Sequence, residues 1–221
     1  GVIFIIISVW VYYFFRDPER IPINDDAYLV SPADGLITDI SEKSGPEELR
    51  LENTTFTAMS FHSGGAGARP NKDGLSATPF PSGVRNVPVE VLEAITPIVI
   101  WRKELRQNSG GAGQFRGGLG QRMVVGNREK AEFAIFGTFD RVKNPARGRD
   151  GGKPGATGSL TLTSGKKLKG MGRQVIPMGE ELIIEMPGGG GYGNPKSRDR
   201  KKIMEDIRAG LISADNVKEY E

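Results

Sequence analysis

An α+β fold, predominantly β with long glycine-rich loops and short C-terminal helices, is predicted by three observations. Apolar runs after residue 53 are short and bounded by glycine or proline. Glycine is heavily enriched, at 31 of 221 residues, without a Gly-X-Y period, which excludes collagen. Helical spacing of apolar residues occurs only near the end, where Ile203 and Ile207 with Met204 make one apolar side.

The chain opens with Val2 to Phe15, fourteen residues without a charge, ending in the aromatic group Trp10, Tyr12 and Tyr13 just before Arg16. Aromatics beside a charged flank resemble an interfacial belt, so residues 1–15 are expected to anchor a cytoplasmic domain to the bacterial inner membrane. The alternative is a buried strand pair or core helix, because β-branched and aromatic residues dominate and a span needs more apolar residues, about 17–25. Pro18 and Pro22 stop any helix, and Tyr28–Val30 and Leu36–Ile40 read as strands around a Ser31-to-Gly35 turn. Residues 43–52 are polar and aperiodic, a junction between residues 16–42 and the second piece, 53–221.

Glycine marks that division. Only Gly1, Gly35 and Gly45 precede residue 54. Three clusters follow, Ser63–Gly74, Ser109–Gly120 and Pro187–Pro195, the first two sharing an SGGAG pentad. Strands are expected at Val87–Val91, Ile98–Trp101, Phe133–Phe139, Leu160–Leu162 and Glu181–Glu185, and a helix only from Arg198 to Ala209. Gly210 then serves as the helix stop, and Ser213 caps a last short helix through Tyr220.

Composition excludes much chemistry. With no cysteine there is no disulfide framework, thiolate zinc site, iron–sulfur cluster or cysteine nucleophile. His62 is the single histidine, so no metal site is assigned to the chain. The formal charge is +3, but bases are interleaved with acids and aromatics are only 8%, which argues against nucleic acid. No Walker pattern occurs, and Gly188, Gly190 and Gly193 meet Gly-x-Gly-x-x-Gly only with Pro195 interrupting the helix entry.

Candidate site residues gather at the first two clusters. Gly64, Gly65, Gly67, Arg69 and Lys72, with Ser109, Gly111, Gly113 and Arg116, form a loop set in which backbone N–H groups and an arginine fork could bind a substrate or anion. The alternatives are tight turns needing close backbone approach, and an Arg69–Asp73 pair within the loop. Asp34, His62 and Asp73 are the weak catalytic candidates. His62 near Ser63 and Ser109 is a base without a placed acid, against which stands a hydrogen-bonded structural histidine. For Asp34 the alternative is a turn aspartate.

Two stretches resemble known families. FFRDPER at residues 14–20, followed by SPADG at 31–35, resembles the start of bacterial phosphatidylserine decarboxylases. That resemblance implies that Asp34 assists self-cleavage at a serine that becomes a pyruvoyl cofactor. The required Leu-Gly-Ser-Thr or Gly-Gly-Ser-Thr sequence does not occur in the chain, so the electrophile for decarboxylation is missing.

The second resemblance is longer. FHSGGAGARPNKDGLSATPFPSGVRNVPVEVLE (61–93), KELRQNSGGAGQFRGGLGQ (103–121), Asp140-Arg141, MPGGGGYGNPKSRD (186–199) and DIRAGLIS (206–213) are similar to the C-terminal part of the hydantoinase B/oxoprolinase family. This implies ATP-dependent opening of small-molecule cyclic amides such as 5-oxoproline or hydantoins. It also implies a hydantoinase A-type subunit or domain as partner, through which ATP enters, and no cofactor bound by this chain itself. Family members carry the His/Asp positions of the metal site further upstream, so the chain alone is expected to be catalytically incomplete. A membrane lyase and a non-enzymatic chimeric fusion are the competing readings.

Overall fold

The computed structural model describes residues 58–79 and 88–221. The expected anchor at residues 1–15, the decarboxylase-like segment with Asp34, and the junction all lie outside the described residues. Among the described residues, no helix is long and apolar enough to cross a membrane.

Six strands and two α-helices form the framework. Helix α1 spans Val89–Ile95; strands β1 (Ile98–Leu105), β2 (Gln121–Asn127), β3 (Phe133–Thr138), β4 (Ser159–Leu162), β5 (Met171–Ile176) and β6 (Leu182–Glu185) follow; helix α2 spans Arg200–Arg208. One sheet has the order β1-β2-β6-β4 and a second pairs β3 with β5; every pairing is antiparallel. Alternation places Met123, Val125, Leu160, Leu162, Leu182 and Ile184 on one buried face, where Phe133 and Ile176 of the two-stranded ribbon join them. The β1–β2 register shifts between Ile100 and Arg102, and Trp101 lies against Gly126, where a Cβ would meet its indole nitrogen at 2.7 Å.

Four of the expected strands are present, and two expectations are corrected. The segment expected as a strand at Val87–Val91 forms α1 over its described part, so helix is not confined to the C-terminus. Pro88, at φ −56°, is set for helix entry, Leu92 is its buried residue, and Thr96 Oγ1 donates to the Leu92 carbonyl at 2.7 Å where the helix ends. Helix α1 is then tied to β1, whose Ile100 N–H donates to Glu93 Oε1 at 2.8 Å. Strands β2 and β5 were not expected. In QRMVVGN only three consecutive residues are apolar, and MGRQVI carries a polar side chain on each face, Arg173 on one and Gln174 on the other, so both are stabilised by tertiary pairing rather than by a strong local pattern.

Helix α2 begins at Asp199, whose carboxylate accepts from the Lys201 N–H, and Gly210 adopts φ +69° beyond its end. The last segment, Ala214–Tyr220, is a 3-10 helix with Ser213 at its N-cap position. The Ser213 hydroxyl does not cap it. It accepts from Asn108 Nδ2 at 3.0 Å while the Ser213 N–H donates to Asn108 Oδ1 at 2.8 Å, so the side chain is drawn to a neighbouring loop. Ile203, Ile212 and Tyr220 pack with Ala112 into a second core.

Candidate functional site

Between the two cores the glycine clusters pack on one another. Segments 64–68, 109–118, 146–156 and 187–193 run side by side and bond backbone to backbone without forming a conventional sheet. Gly65 N–H donates to the Pro187 carbonyl at 2.9 Å, Gly111 to Gly189 at 2.8 Å, Gly118 to Ala66 at 2.8 Å, Gly189 to Gly118 at 2.9 Å, and Gly191 to Lys153 at 2.9 Å. Such close approach leaves no space for side chains. A Cβ on Gly188 would collide with the Ser109 carbonyl, and one on Gly65 with the Gly118 carbonyl. The pattern of the glycine clusters is therefore a packing requirement, and the N–H groups named here already have carbonyl partners.

At one end of this junction sits a buried network of two arginines and two aspartates. Arg198 donates from Nη1 and Nη2 to the two carboxylate oxygens of Asp73 at 2.8 and 2.9 Å, and from Nη2 to Asp206 Oδ2 at 2.7 Å. Arg116 donates from Nε to Asp206 Oδ2 at 3.2 Å and from Nη1 to its neighbour's carbonyl, that of Gly117, at 2.8 Å. The Arg116 backbone N–H also donates to Asp73 Oδ1 at 2.7 Å. Arg116, Arg198 and Asp206 are 5%, 5% and 6% exposed, a depth at which an unpaired charge would be prohibitive. Burial acts to raise the Asp73 carboxyl, but the Arg198 fork and the Arg116 N–H outweigh it and hold it below the ordinary carboxylate range. Burial likewise opposes the charge of Arg198, and its two aspartates more than compensate, raising its affinity for the proton. Arg198 also lies over the Tyr220 ring at 6.0 Å, and burial pushes the Tyr220 phenol up. Two guanidinium groups face two carboxylates, with Arg198 Nε buried and left without a hydrogen-bond partner, so the network fastens α2 and the C-terminal turn to the glycine junction.

The structure brings Gly64, Gly65, Gly67, Ser109, Gly111, Gly113, Asp73 and Arg116 together at this junction. Ser109 is 1% exposed; its hydroxyl donates to the Arg106 carbonyl at 2.6 Å and accepts from the Gly120 N–H at 3.0 Å. Arg69 and Lys72 close a tight backbone turn, Arg69 N–H donating to the Lys72 carbonyl at 2.9 Å, and their side chains are exposed. The alternative Arg69–Asp73 pairing does not form among these contacts, because Asp73 is engaged by Arg198.

His62 lies apart from the network. Its Nε2 shares a hydrogen bond of 2.7 Å with Ser60 Oγ, and its Nδ1 is buried without a partner among the described residues. Burial, with the Lys103 charge adding to it, lowers its pKa to about 4, so the ring is neutral near pH 7. Asp34 lies outside the described residues.

Residue reasoning passed over Arg198, Asp206 and Tyr220, the other half of the network. Arg198 and Asp206 lie within motifs that identify the family resemblance, and Asp206 sits three residues after Ile203, on the buried side of α2. A charge on the apolar stripe of an amphipathic helix was the available signal. Gln121 was also passed over; its Nε2 donates to the Ser63 carbonyl at 3.1 Å and ties the first glycine segment to β2. Among the described residues no three of His, Asp and Glu converge as metal ligands.

The sequence pattern of the family described as Hydantoinase B/oxoprolinase matches residues 36–195. Over 131 residues the chain is 40% identical to an uncharacterized protein of Methanocaldococcus jannaschii, covering 58% of this chain and 23% of that protein. Caprolactamase subunit beta of Pseudomonas jessenii is 30% identical over 190 residues, covering 76% of this chain and 31% of the subunit. The crystal structure of ATP-dependent caprolactamase from the same organism matches with a TM-score of 0.63 at 28% identity, covering 80% of this chain and 32% of that one. A shorter match of 61 residues, 58% identical, links the chain to the phosphatidylserine decarboxylase proenzyme of Pelagibacter ubique, covering 28% of each. The chain thus spans between about a quarter and a third of the length of these relatives.

Proposed function

The chain belongs to the hydantoinase B/oxoprolinase family, and from that premise we propose that it is part of an ATP-dependent machinery that opens cyclic amides of the 5-oxoproline, hydantoin or lactam type. The observation that carries this reading is the likeness to ATP-dependent caprolactamase over 80% of the chain. In this proposal residues 53–221 form the family domain, and the ATP-handling work falls to an A-type partner.

The described residues fit a scaffold better than a reaction centre. Asp73 and Asp206 are both engaged by buried arginines, Ser109 is locked to backbone, and His62 stands without a carboxylate partner among the described residues. The glycine N–H groups traced above are paired with carbonyls, so they form no free phosphate nest of the kind that cradles a nucleotide. Among the described residues no cluster of His, Asp and Glu could hold a metal ion. The metal and the reacting groups would then be supplied from outside the described residues.

Purified chain incubated with ATP and 5-oxoproline, hydantoin or caprolactam, with and without an A-type subunit, tests the reading by mass-spectrometric detection of the ring-opened acid. Turnover is expected only with the partner. Turnover by the chain alone would overturn its catalytic incompleteness, and no turnover of any ring with a competent partner would overturn the substrate class.

A second reading is favoured by the 58% match to a decarboxylase proenzyme: residues 1–42 would be a decarboxylase-like piece fused to the family domain. Coding DNA across residues 41–55 showing two separate reading frames would overturn a natural fusion. A pyruvoyl-blocked shorter chain in the mass spectrum would instead restore decarboxylase chemistry.

A further inference from the structure

The chain is nearly balanced in charge, with 30 Lys and Arg against 27 Asp and Glu, yet its cations are not evenly neutralised. Around the outer side of the glycine junction, neighbouring backbone segments carry Arg69, Lys72, Arg147, Arg149 and Lys153, all exposed. Their backbones are held side by side. Ala68 N–H donates to the Gly190 carbonyl, the Arg147 carbonyl lies where a Gly190 Cβ would project, and Arg149 N–H donates to the Gly191 carbonyl. Lys153 N–H donates to the Ala112 carbonyl and its carbonyl accepts from Gly191. Lys202 joins them over the Phe115 ring at 5.5 Å, beside the Phe115–Tyr192 bridge. None of these six cations is in an ion pair among the described residues, and the acid adjoining them, Asp73, is engaged by Arg198. Asp150 is the one further acid on the loop segments 146–156 and 187–193, and α2, which carries Lys202, bears Asp199 and Glu205 beside it.

We propose that this basic face docks a protein partner through an acidic surface. A compact phosphate is the weaker fit, because the junction's N–H groups named above already have carbonyl partners and cannot add the backbone donors of an anion nest to the side-chain cations. Base stacking would need a bare aromatic, and the Phe115 ring is covered by Lys202. What remains is a field of flexible cations on a rigid backbone platform, which suits a complementary acidic protein face and sets encounter rate and orientation. On the reading above this is the face toward the ATP-handling subunit; the test involves no turnover, so its failure leaves the substrate reading standing.

The test measures binding of the full chain to fluorescent poly-L-glutamate by anisotropy over a salt series, with duplex DNA and phosphatidylglycerol vesicles as separate arms. R147E/R149E/K153E is compared with K166E/K167E/K169E, an equal charge change on the β4–β5 turn, and R69E/K72E repeats the test on the neighbouring segment. The expected result is a loss of about tenfold for R147E/R149E/K153E, a smaller loss for R69E/K72E, and under about twofold for the control, all three keeping the parental circular dichroism. Equal losses at the junction and the control turn would overturn the proposal. So would tighter binding to DNA or vesicles than to poly-L-glutamate. If R147E/R149E/K153E fails to fold, an unchanged affinity of R69E/K72E overturns it.

Discussion

Replacing Asp206 with Asn keeps the side chain's shape while removing the charge shared by two buried arginines. In the native protein the Asp206 carboxylate accepts from Arg116 Nε at 3.2 Å and from Arg198 Nη2 at 2.7 Å. Asp73 then remains as the only carboxylate in the network, facing two guanidinium groups, so one positive charge is left without a counterion in a site where Arg116 and Arg198 are each 5% exposed. Breaking a buried pair from one side typically costs about 3–5 kcal/mol, because the remaining charge keeps its desolvation penalty. For a chain of this length that corresponds to a fall in Tm of roughly 6–20 °C. Urea unfolding followed by tryptophan fluorescence, with calorimetry alongside, reads both quantities. The neutralising double variant D206N/R116M should recover part of the loss, since it removes the orphaned cation too. A loss under about 1 kcal/mol for D206N, or no recovery in the double variant, would refute the claim that this network fastens α2 to the glycine junction.

Three further outcomes follow from the same structure. Because the folded-state pKa of His62 lies at about 4, below its ordinary 6.5, its contribution of roughly 3 kcal/mol is complete above pH 6.5 and is lost as pH falls toward 4. His62 is the single histidine, so the urea midpoint of the native protein should fall across that window while H62Q stays level; parallel profiles would count against the burial argument. The Asp73 carboxyl, also held low, adds stability present above its ordinary pKa of 3.8 and lost below it, so D73N should flatten the most acidic limb of the same profile. Gly188→Ala should cost roughly 3 kcal/mol or prevent folding, because its Cβ meets the Ser109 backbone, whereas Gly165→Ala meets nothing within 4 Å and should cost only about 1–2 kcal/mol for its φ of +85°. Equal losses in the two alanine variants would show that glycine packing is not what the clusters are for.

The helix stop at Gly210, the strands around Ile98, Phe133, Leu160 and Leu182, and the amphipathic α2 were legible because each is written in a local signal: a capping residue, a bounded apolar run, a 3.6-residue period. Strand β2 was not, though it lies inside the four-stranded sheet, since its partners β1 and β6 supply what its own short Met-Val-Val run does not. The strand expected at Val87–Val91 was misread over its described part for a related reason. Its β-branched valines suggest a strand, but Pro88 and the burial of Leu92 select a helix.

By itself the sequence determined the family resemblance, the glycine clusters, and the limits that one histidine and no cysteine place on metal and redox chemistry. Those follow from residue identity and order along the chain, and no neighbour in space can alter them. Only the tertiary structure decided what the residues near the clusters do. Asp73 and Arg198 stand 125 positions apart, and Arg116 and Asp206 stand 90 apart; which cation meets which carboxylate depends on how four glycine segments close on one another. Loops that could have been read as cradles for an anion thus turn out to have backbone donors facing the carbonyls of their neighbours, because without side chains the segments approach closely enough to satisfy one another.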